Sequence, residues 1–458
     1  MENKNNTLYY LKEAPVSKAI FHMAIPMILS MIINIIYNIT DAFYIGMLNS
    51  TSMLATMALV LPFTTILMAI GEIFGTGGST YISRLLGEKN WEGVKKASVV
   101  NFYLSIFAGF IFILIIIPMT PSILKILGSS GSNLIPTKNF ITVYTIGAPF
   151  IITNFTLAQT LRGEGASKES LIGMLISIII NILLDPIFIF SFQMGTSGAA
   201  LGTVIGNIFA VIYYIWYLTK KSTVQSTSFK YFKPDKDILT NIFKVGISAF
   251  SLCCFLIISG LVFNNYAMMY GEHVVAAFGI ANRICQISDF IGIGLYVGVV
   301  PLIAFAYSAG NTERLKKILK TTVSYLTIAI LGISFVLYIL RNQVMSLFSI
   351  QSDLIDVGTK ILVILLISTL FAGISGMFTS MFQAFGKGIQ SNIMSVTKGI
   401  IFIPIIIIGN ILFELDGVIW SITISEFLTS LIGLLLWIFS RKSIIDSPLE
   451  ERISDSLS

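Results

Sequence analysis

Apolar residues arrive along this chain in long blocks separated by charged or turn-rich punctuation. Twelve blocks can be read, at about 19–47, 53–83, 94–119, 138–160, 170–192, 198–218, 241–270, 274–307, 318–340, 357–384, 390–412 and 417–440. Runs such as Val99 to Met119 and Ile361 to Phe382 carry no charge, and about 20 such residues suffice to cross a hydrocarbon core of about 30 Å. The alternating ten-residue pattern of an outer-membrane barrel is absent, so backbone groups in lipid must be satisfied within helices. The pattern predicts an all-α polytopic membrane protein of twelve transmembrane helices in two pseudo-symmetric six-helix lobes.

Composition sharpens this reading. With 55% hydrophobic residues, 11% charged residues and a mean hydropathy of +0.87, a chain of 458 residues cannot close a water-soluble globule, and the surplus apolar surface must face lipid. A formal net charge of +6 raises the question of nucleic acid, but the charge is not patterned as a binding face. When the loops are assigned alternately to two sides, 23 of the 29 lysines and arginines fall on one side and four on the other. By the positive-inside rule the basic side is cytoplasmic, and both termini are expected there. Residues 1–18 read as a cytoplasmic tail and not as a signal peptide. Residues 19–218 form the first lobe and 219–240, rich in Ser, Thr and Lys, a cytoplasmic linker; 241–440 form the second lobe and 441–458 a second tail. Three cysteines, Cys253, Cys254 and Cys285, and two histidines, His22 and His273, argue against a disulfide framework or a metal site, and no cofactor is expected.

The two halves repeat. Gly71, Gly77, Asn90, Glu92, Lys95 and Lys96 recur 221 positions later as Gly292, Gly298, Asn311, Glu313, Lys316 and Lys317. Gly163 and Gly165 answer to Gly386 and Gly388 at an offset of 223, and Gly198 to Gly417 at 219. Six spans per half is an even number, so the repeats are parallel, related by an axis along the membrane normal with a cleft between the lobes.

Ionisable groups inside spans are costly, about 2.5–3.5 kcal/mol each at a helix centre, and so mark function by default. Seven occur: Asp41, Glu72, Asp185, Arg283, Asp289, Lys398 and Glu426. Asp41 and Asp185 lie at a shared depth, roughly 22–26 Å from the cytoplasmic side at 1.5 Å per residue. Asn34, Tyr37 and Asp41 share one helical face and Asn181 and Asp185 another, with Thr203 and Asn207 a further i, i+4 pair. Pro186 removes a backbone donor directly after Asp185 and weakens the helix where the acid sits. Phe263 and Ile408 occupy the repeat counterparts of the two acids, so the fold itself does not call for carboxylates there. Asn282, Gln286 and Asp289 share a face with Arg283 beside them, which suggests an Arg283–Asp289 network or a cavity lining. Glu72 lies between Gly71 and Gly75, Glu426 is placed to cap a packing network, and Lys398 either ion-pairs or snorkels. The expected coupling residues are Asp41 and Asp185. The expected cavity residues are Asn34, Tyr37, Asn181, Thr203, Asn207, Glu72, Gln286 and Asp289.

The stretches Asn38-Ile-Thr-Asp41-Ala-Phe-Tyr-Ile-Gly46, Gly77-Gly-Ser-Thr-Tyr-Ile-Ser-Arg84, Leu184-Asp185-Pro186 and Gly198-Ala-Ala-Leu-Gly202 resemble the multidrug and toxic compound extrusion (MATE) family over about residues 15–440. Within that family the chain is similar to the Gram-positive multidrug exporters, near the branch with its essential acids in the first lobe. The resemblance implies a cell-membrane antiporter of amphiphilic, often cationic organic compounds, coupled through carboxylates on spans 1 and 5. Sodium-linked members carry acids on spans 7 and 10, where residues 241–270 and 357–384 have none, so the proton is the expected coupling ion and sodium the alternative. The partners expected are small amphiphilic molecules, protons and membrane lipid, with no nucleic acid. A lipid-linked oligosaccharide flippase would want several cleft arginines where only Arg283 is available. A membrane enzyme or primary pump is disfavoured, because no HExxH, GxSxG or P-loop motif occurs.

Overall fold

A computed structural model of the protein describes residues 6–347, 352–442 and 444. Those residues are helical throughout apart from short connections, in the order α1 (Asn6–Lys12), α2 (Val16–Gly46), α3 (Thr51–Gly87), α4 (Trp91–Ile126), α5 (Leu134–Ile146), α6 (Ala148–Gly163), α7 (Ser167–Pro186), α8 (Thr196–Lys220), α9 (Lys236–Met268), α10 (Glu272–Gly298), α11 (Val300–Ser308), α12 (Thr312–Ile339), α13 (Arg341–Ser346), α14 (Ser352–Ala384) and α15 (Gly388–Arg441). Ten of these stretches are long and apolar enough to span a bilayer, and α5 with α6, bent by 57° at Gly147, makes an eleventh. The helix α15 runs for 54 residues, well over twice the length a bilayer needs. It breaks at Glu414 (φ 50°, ψ −131°) and folds back on itself. A methyl group on Gly417 would lie 1.9 Å from the carbonyl oxygen of Gly409, so the two arms touch backbone to backbone. Span 4 is thus a bent pair and spans 11 and 12 a hairpin, and all twelve expected segments are accounted for.

The internal repeat is visible in backbone detail. Asn90 caps α4 by accepting from Gly93 N, and Asn311 caps α12 by accepting from Arg314 N, at φ/ψ of −84°/75° and −83°/77°. Gly165 and Gly386, both at positive φ, end their helices through equivalent bonds, Ala166 N to Leu161 O and Lys387 N to Phe382 O. That pairing corrects the glycine register from the expected 223 to the common 221. The offset of 219 near the breaks also has a cause: Gly195 (φ 56°, ψ −131°) and Glu414 adopt one strained conformation.

Two compact units result. One consists of residues up to Glu13 with Leu29–Gly246, the other of Ala14–Ile28 with the chain from Ile247 onward. Each takes in one short helical piece from the other half of the sequence. In the first unit α9 crosses α3 where a methyl on Gly77 would lie 2.1 Å from Ile242 O; in the second α2 crosses α10 where one on Gly298 would lie 2.9 Å from Ala24 Cα. The recurrence of this glycine thus follows from two equivalent close helix crossings.

The segment 219–240, expected as a plain linker, is docked on the first unit. Val224 and Gln225 are buried, Ser98 Oγ accepts from Ser226 N, Gln225 Nε2 donates to Thr160 O, and Phe229 stacks on Phe232 beside Tyr103.

Candidate functional site

In the first unit α8 presents Gly198, Gly202 and Gly206 one turn apart, and this bare stripe lets α7 approach closely. A methyl on Gly206 would come within 2.4 Å of Ser177 O, and one on Gly202 within 2.3 Å of Asp185 Oδ1. The close approach presses the Asp185 carboxyl against α8, where the side chain is wholly buried. Pro186 does not end the helix abruptly. The chain widens into a π turn over Ile187–Ser191, closed by Phe192 N donating to Ile187 O, so the missing donor is absorbed by a looser turn next to the acid.

Thr203 is the hub of the polar group. Its hydroxyl donates to Ala199 O at 3.0 Å and accepts from Tyr37 OH at 2.9 Å and from Asn181 Nδ2 at 3.3 Å. Asn181 Nδ2 also reaches Asp185 Oδ1 at 3.0 Å, the i, i+4 contact expected from sequence. Asn207 donates to Thr203 O at 2.7 Å and accepts from Asn154 Nδ2 at 2.6 Å. Asp41 is buried on α2, and its carboxyl lies within hydrogen-bonding reach of both Asp185 and Tyr37. Tyr144, stacked on Phe140, is close enough to feel the Asp41 charge.

Charge and donor bookkeeping defines what the group can do. Asp41 Oδ1, Asp185 Oδ2, Asn181 Oδ1 and Asn154 Oδ1 are buried without a hydrogen-bond partner among the described residues. All four are acceptors, and the Asn181 amide beside them already donates to Asp185 Oδ1 and Thr203 Oγ1. A buried set of this kind is completed by a positive or hydrogen-donating ligand, and a carboxyl pair this close is stabilised by holding a proton. Among the described residues no three His, Cys, Asp or Glu side chains come together as a metal cluster.

Of the expected site residues, the structure brings together Asp41, Asp185, Tyr37, Asn181, Thr203 and Asn207. Asn34 lies one turn along α2 from Tyr37. Glu72 belongs to a separate contact, its carboxylate taken by Thr76 Oγ1 at 2.6 Å and Gln159 Nε2 at 3.0 Å. Gln286 and Asp289 are half-buried on α10 in the other unit. Arg283 is exposed and forms no ion pair with Asp289 among the described residues; the charges near Asp289 are Lys398 and Glu426. Lys398 does not snorkel but pairs with Glu426 at 2.7 Å. Sequence reasoning missed Asn154, Tyr144 and Gly202. Asn154 had a usable signal, an amide in the middle of an apolar span, whereas Tyr144 and Gly202 act through tertiary approach alone.

Comparison with known proteins agrees with this picture. The MatE family model matches twice, at residues 26–187 and 248–408, in line with the internal repeat. The multidrug export protein MepA of Staphylococcus aureus (strain MSSA476) is 40% identical over 433 residues, covering 94% of this chain and 96% of that protein. MepA of Staphylococcus saprophyticus is 36% identical over the same span. Among solved structures, the outward-facing conformation of a multidrug resistance MATE family transporter of the MOP superfamily superposes with a TM-score of 0.90 at 24% identity, over 98% of this chain and 99% of that one. A MOP superfamily transporter from Pyrococcus furiosus gives 0.89 at 24% identity, over 98% and 100%.

Proposed function

Because the chain belongs to the MATE family of multidrug exporters, we propose that it expels amphiphilic, often cationic organic compounds across the cell membrane in exchange for inward protons. The observation that carries the reading is the buried pair Asp41 and Asp185, each with a carboxylate oxygen that lacks a hydrogen-bond partner among the described residues, beside Asn181, whose amide already donates to Asp185 Oδ1 and Thr203 Oγ1. One proton on this pair removes a negative charge in a medium of low dielectric constant. A cationic compound drawn by that charge and a proton therefore compete, and such competition is the coupling that an antiporter needs. Asn181, Thr203, Tyr37 and Asn207 hold the carboxyls in register. Sodium coupling is the second reading, since unpartnered oxygens also suit a small cation, but residues 241–270 and 357–384, on spans 7 and 10, carry none of the acids that the sodium-linked branch places there. The orientation proposed has both termini in the cytoplasm.

The deciding experiment uses purified protein in liposomes. A pH gradient alone, inside and outside sodium being equal, is expected to drive uptake of a cationic dye, and a sodium gradient at equal pH is expected to do little. Sodium-driven transport without a pH gradient would overturn the proton assignment.

A further inference from the structure

The second unit contains a charged group that the coupling site does not use. Lys398 Nζ, on the first arm of α15, lies 2.7 Å from Glu426 Oε1 on the second arm. Ser375 Oγ on α14 donates to Glu426 Oε2 at 2.8 Å. Asp289 on α10 is close enough to both to interact electrostatically, and Tyr296, two turns further along the same face of α10, senses both acids. Tyr296 is seated against Gly376, where a methyl would meet its hydroxyl at 2.9 Å. Phe371, one turn before Ser375 on α14, meets Phe427, the residue after Glu426, edge to face with centroids 5.2 Å apart.

Two features separate this group from a bare structural ion pair. Its charges do not balance, since one ammonium faces two carboxylates, and in their ionised forms the group carries one net negative charge. It is also not sealed, because the side chains of Lys398 and Glu426 keep 23% and 10% of their exposure. Charged groups within spans face either a bundle interior or a water-filled cavity, and partial exposure points to the cavity. The fold does not call for the lysine, whose repeat counterpart at the common offset of 221 is Ser177.

Building on the cation-export reading above, we propose that Lys398 is a specificity-determining residue. Its ammonium acts as a tethered counter-ion that neutralises Glu426, leaves Asp289 as the single uncompensated charge, and so sets the group to accept monocationic aromatic compounds in preference to dications. The neighbouring rings of Tyr296, Phe371 and Phe427 supply the flat apolar contact such compounds need. A second positive charge on the ligand would meet the resident ammonium.

Ethidium and propidium test this, because they share one ring system and carry one and two positive charges. Binding is measured by fluorescence on the full-length protein in detergent, with thermal unfolding followed in parallel. The unmodified protein is expected to favour ethidium. Lys398→Met adds one net negative charge, and the ratio of the two affinities should move toward propidium by about tenfold, or about 1.4 kcal/mol. Lys398→Arg should leave the ratio unchanged, and Lys398→Met with Glu426→Gln, which restores the net charge, should return it. If Lys398→Met does not accumulate as folded protein, Asp289→Asn carries the test and should weaken both dyes. A ratio that stays fixed in Lys398→Met, or affinities untouched by Asp289→Asn, would overturn the proposal. Failure of the unmodified protein to bind either dye would instead remove the cation-export reading beneath it.

Discussion

A methyl group built on Gly202 would sit 2.3 Å from Asp185 Oδ1, nearer than any carbon and oxygen can pack. Either α7 and α8 separate or the carboxyl turns away from Asn181. Gly202→Ala is therefore expected to abolish most transport while leaving a protein that can still be extracted. Gly46→Ala, which meets nothing within 4 Å, serves as the control and should transport normally. Dye efflux from cells expressing equal amounts of each variant measures the difference, and parity between them would show that the α7–α8 approach is irrelevant to function.

Asp41→Asn and Asp185→Asn keep shape and most hydrogen bonds but cannot titrate. Each should fold, insert and lose most of its efflux, a drop of about tenfold or more if the carboxyl supplies the coupling. Normal efflux in both would mean that protons enter elsewhere.

Much of this architecture was legible in the residues because the cost of placing polar groups in lipid outweighs every other influence on where a spanning helix forms. Asp41, Tyr37, Asn181, Asp185, Thr203 and Asn207 were readable for the same reason, as polar groups at helical spacing in apolar blocks. What the spacing could not show was which partners meet across helices. Arg283 is only six residues from Asp289 in the chain, yet Asp289 lies near Lys398 and Glu426, drawn from two arms of a distant hairpin. The spacing of Gly71 and Gly75 around Glu72 could not show that these glycines admit α6, from which Gln159 takes the acid. The segment 219–240 looked like a spacer because it lacks an apolar period, but it is held by individual bonds to Ser98 and Thr160.

Glu414 offers a stability test of the repeat. It holds φ 50° and ψ −131°, a conformation that costs a side chain of order 1–3 kcal/mol and a glycine far less. Gly195 occupies the equivalent break in the first half at φ 56°, ψ −131°. Glu414→Gly should stabilise the protein by about 1 kcal/mol after the added chain entropy of the unfolded state is subtracted. A higher midpoint of thermal unfolding in detergent is expected, and a lower one would show that the Glu414 side chain makes a compensating contact.

The proposed orientation, argued from the distribution of basic residues, is checked most simply at Lys230, which is exposed. With Cys253, Cys254 and Cys285 replaced, Lys230→Cys should react with a membrane-impermeant maleimide only when the cytoplasmic face is opened. Ser226 would be a poorer probe, since its backbone is bonded to Ser98. Labelling of sealed cells at position 230 would invert the topology.

The docked segment also predicts a pH response. Glu164, in the connection after α6, is 1% exposed; it accepts from Ser222 Oγ at 2.7 Å, while Oε1 has no hydrogen-bond partner among the described residues. Burial pushes its carboxyl up from the ordinary 4.5 to about 7, with the Tyr217 phenol the titratable group beside it. The docked state therefore holds its proton over a range in which the undocked state has already lost it. Linkage then fixes the sign: docking is strongest below about pH 4.5, weakens as pH rises toward about 7, and levels off above that, where both states are ionised. With the native cysteines replaced, Val224→Cys, buried in the docked segment, should be labelled faster at pH 8 than at pH 5, by about tenfold or more once the intrinsic thiol reactivity of an exposed Lys230→Cys is divided out. Adding Glu164→Gln should hold the corrected rate low and flat across the range. A pH dependence that persists with the glutamine would assign the response to another group and leave Glu164 with a purely packing role.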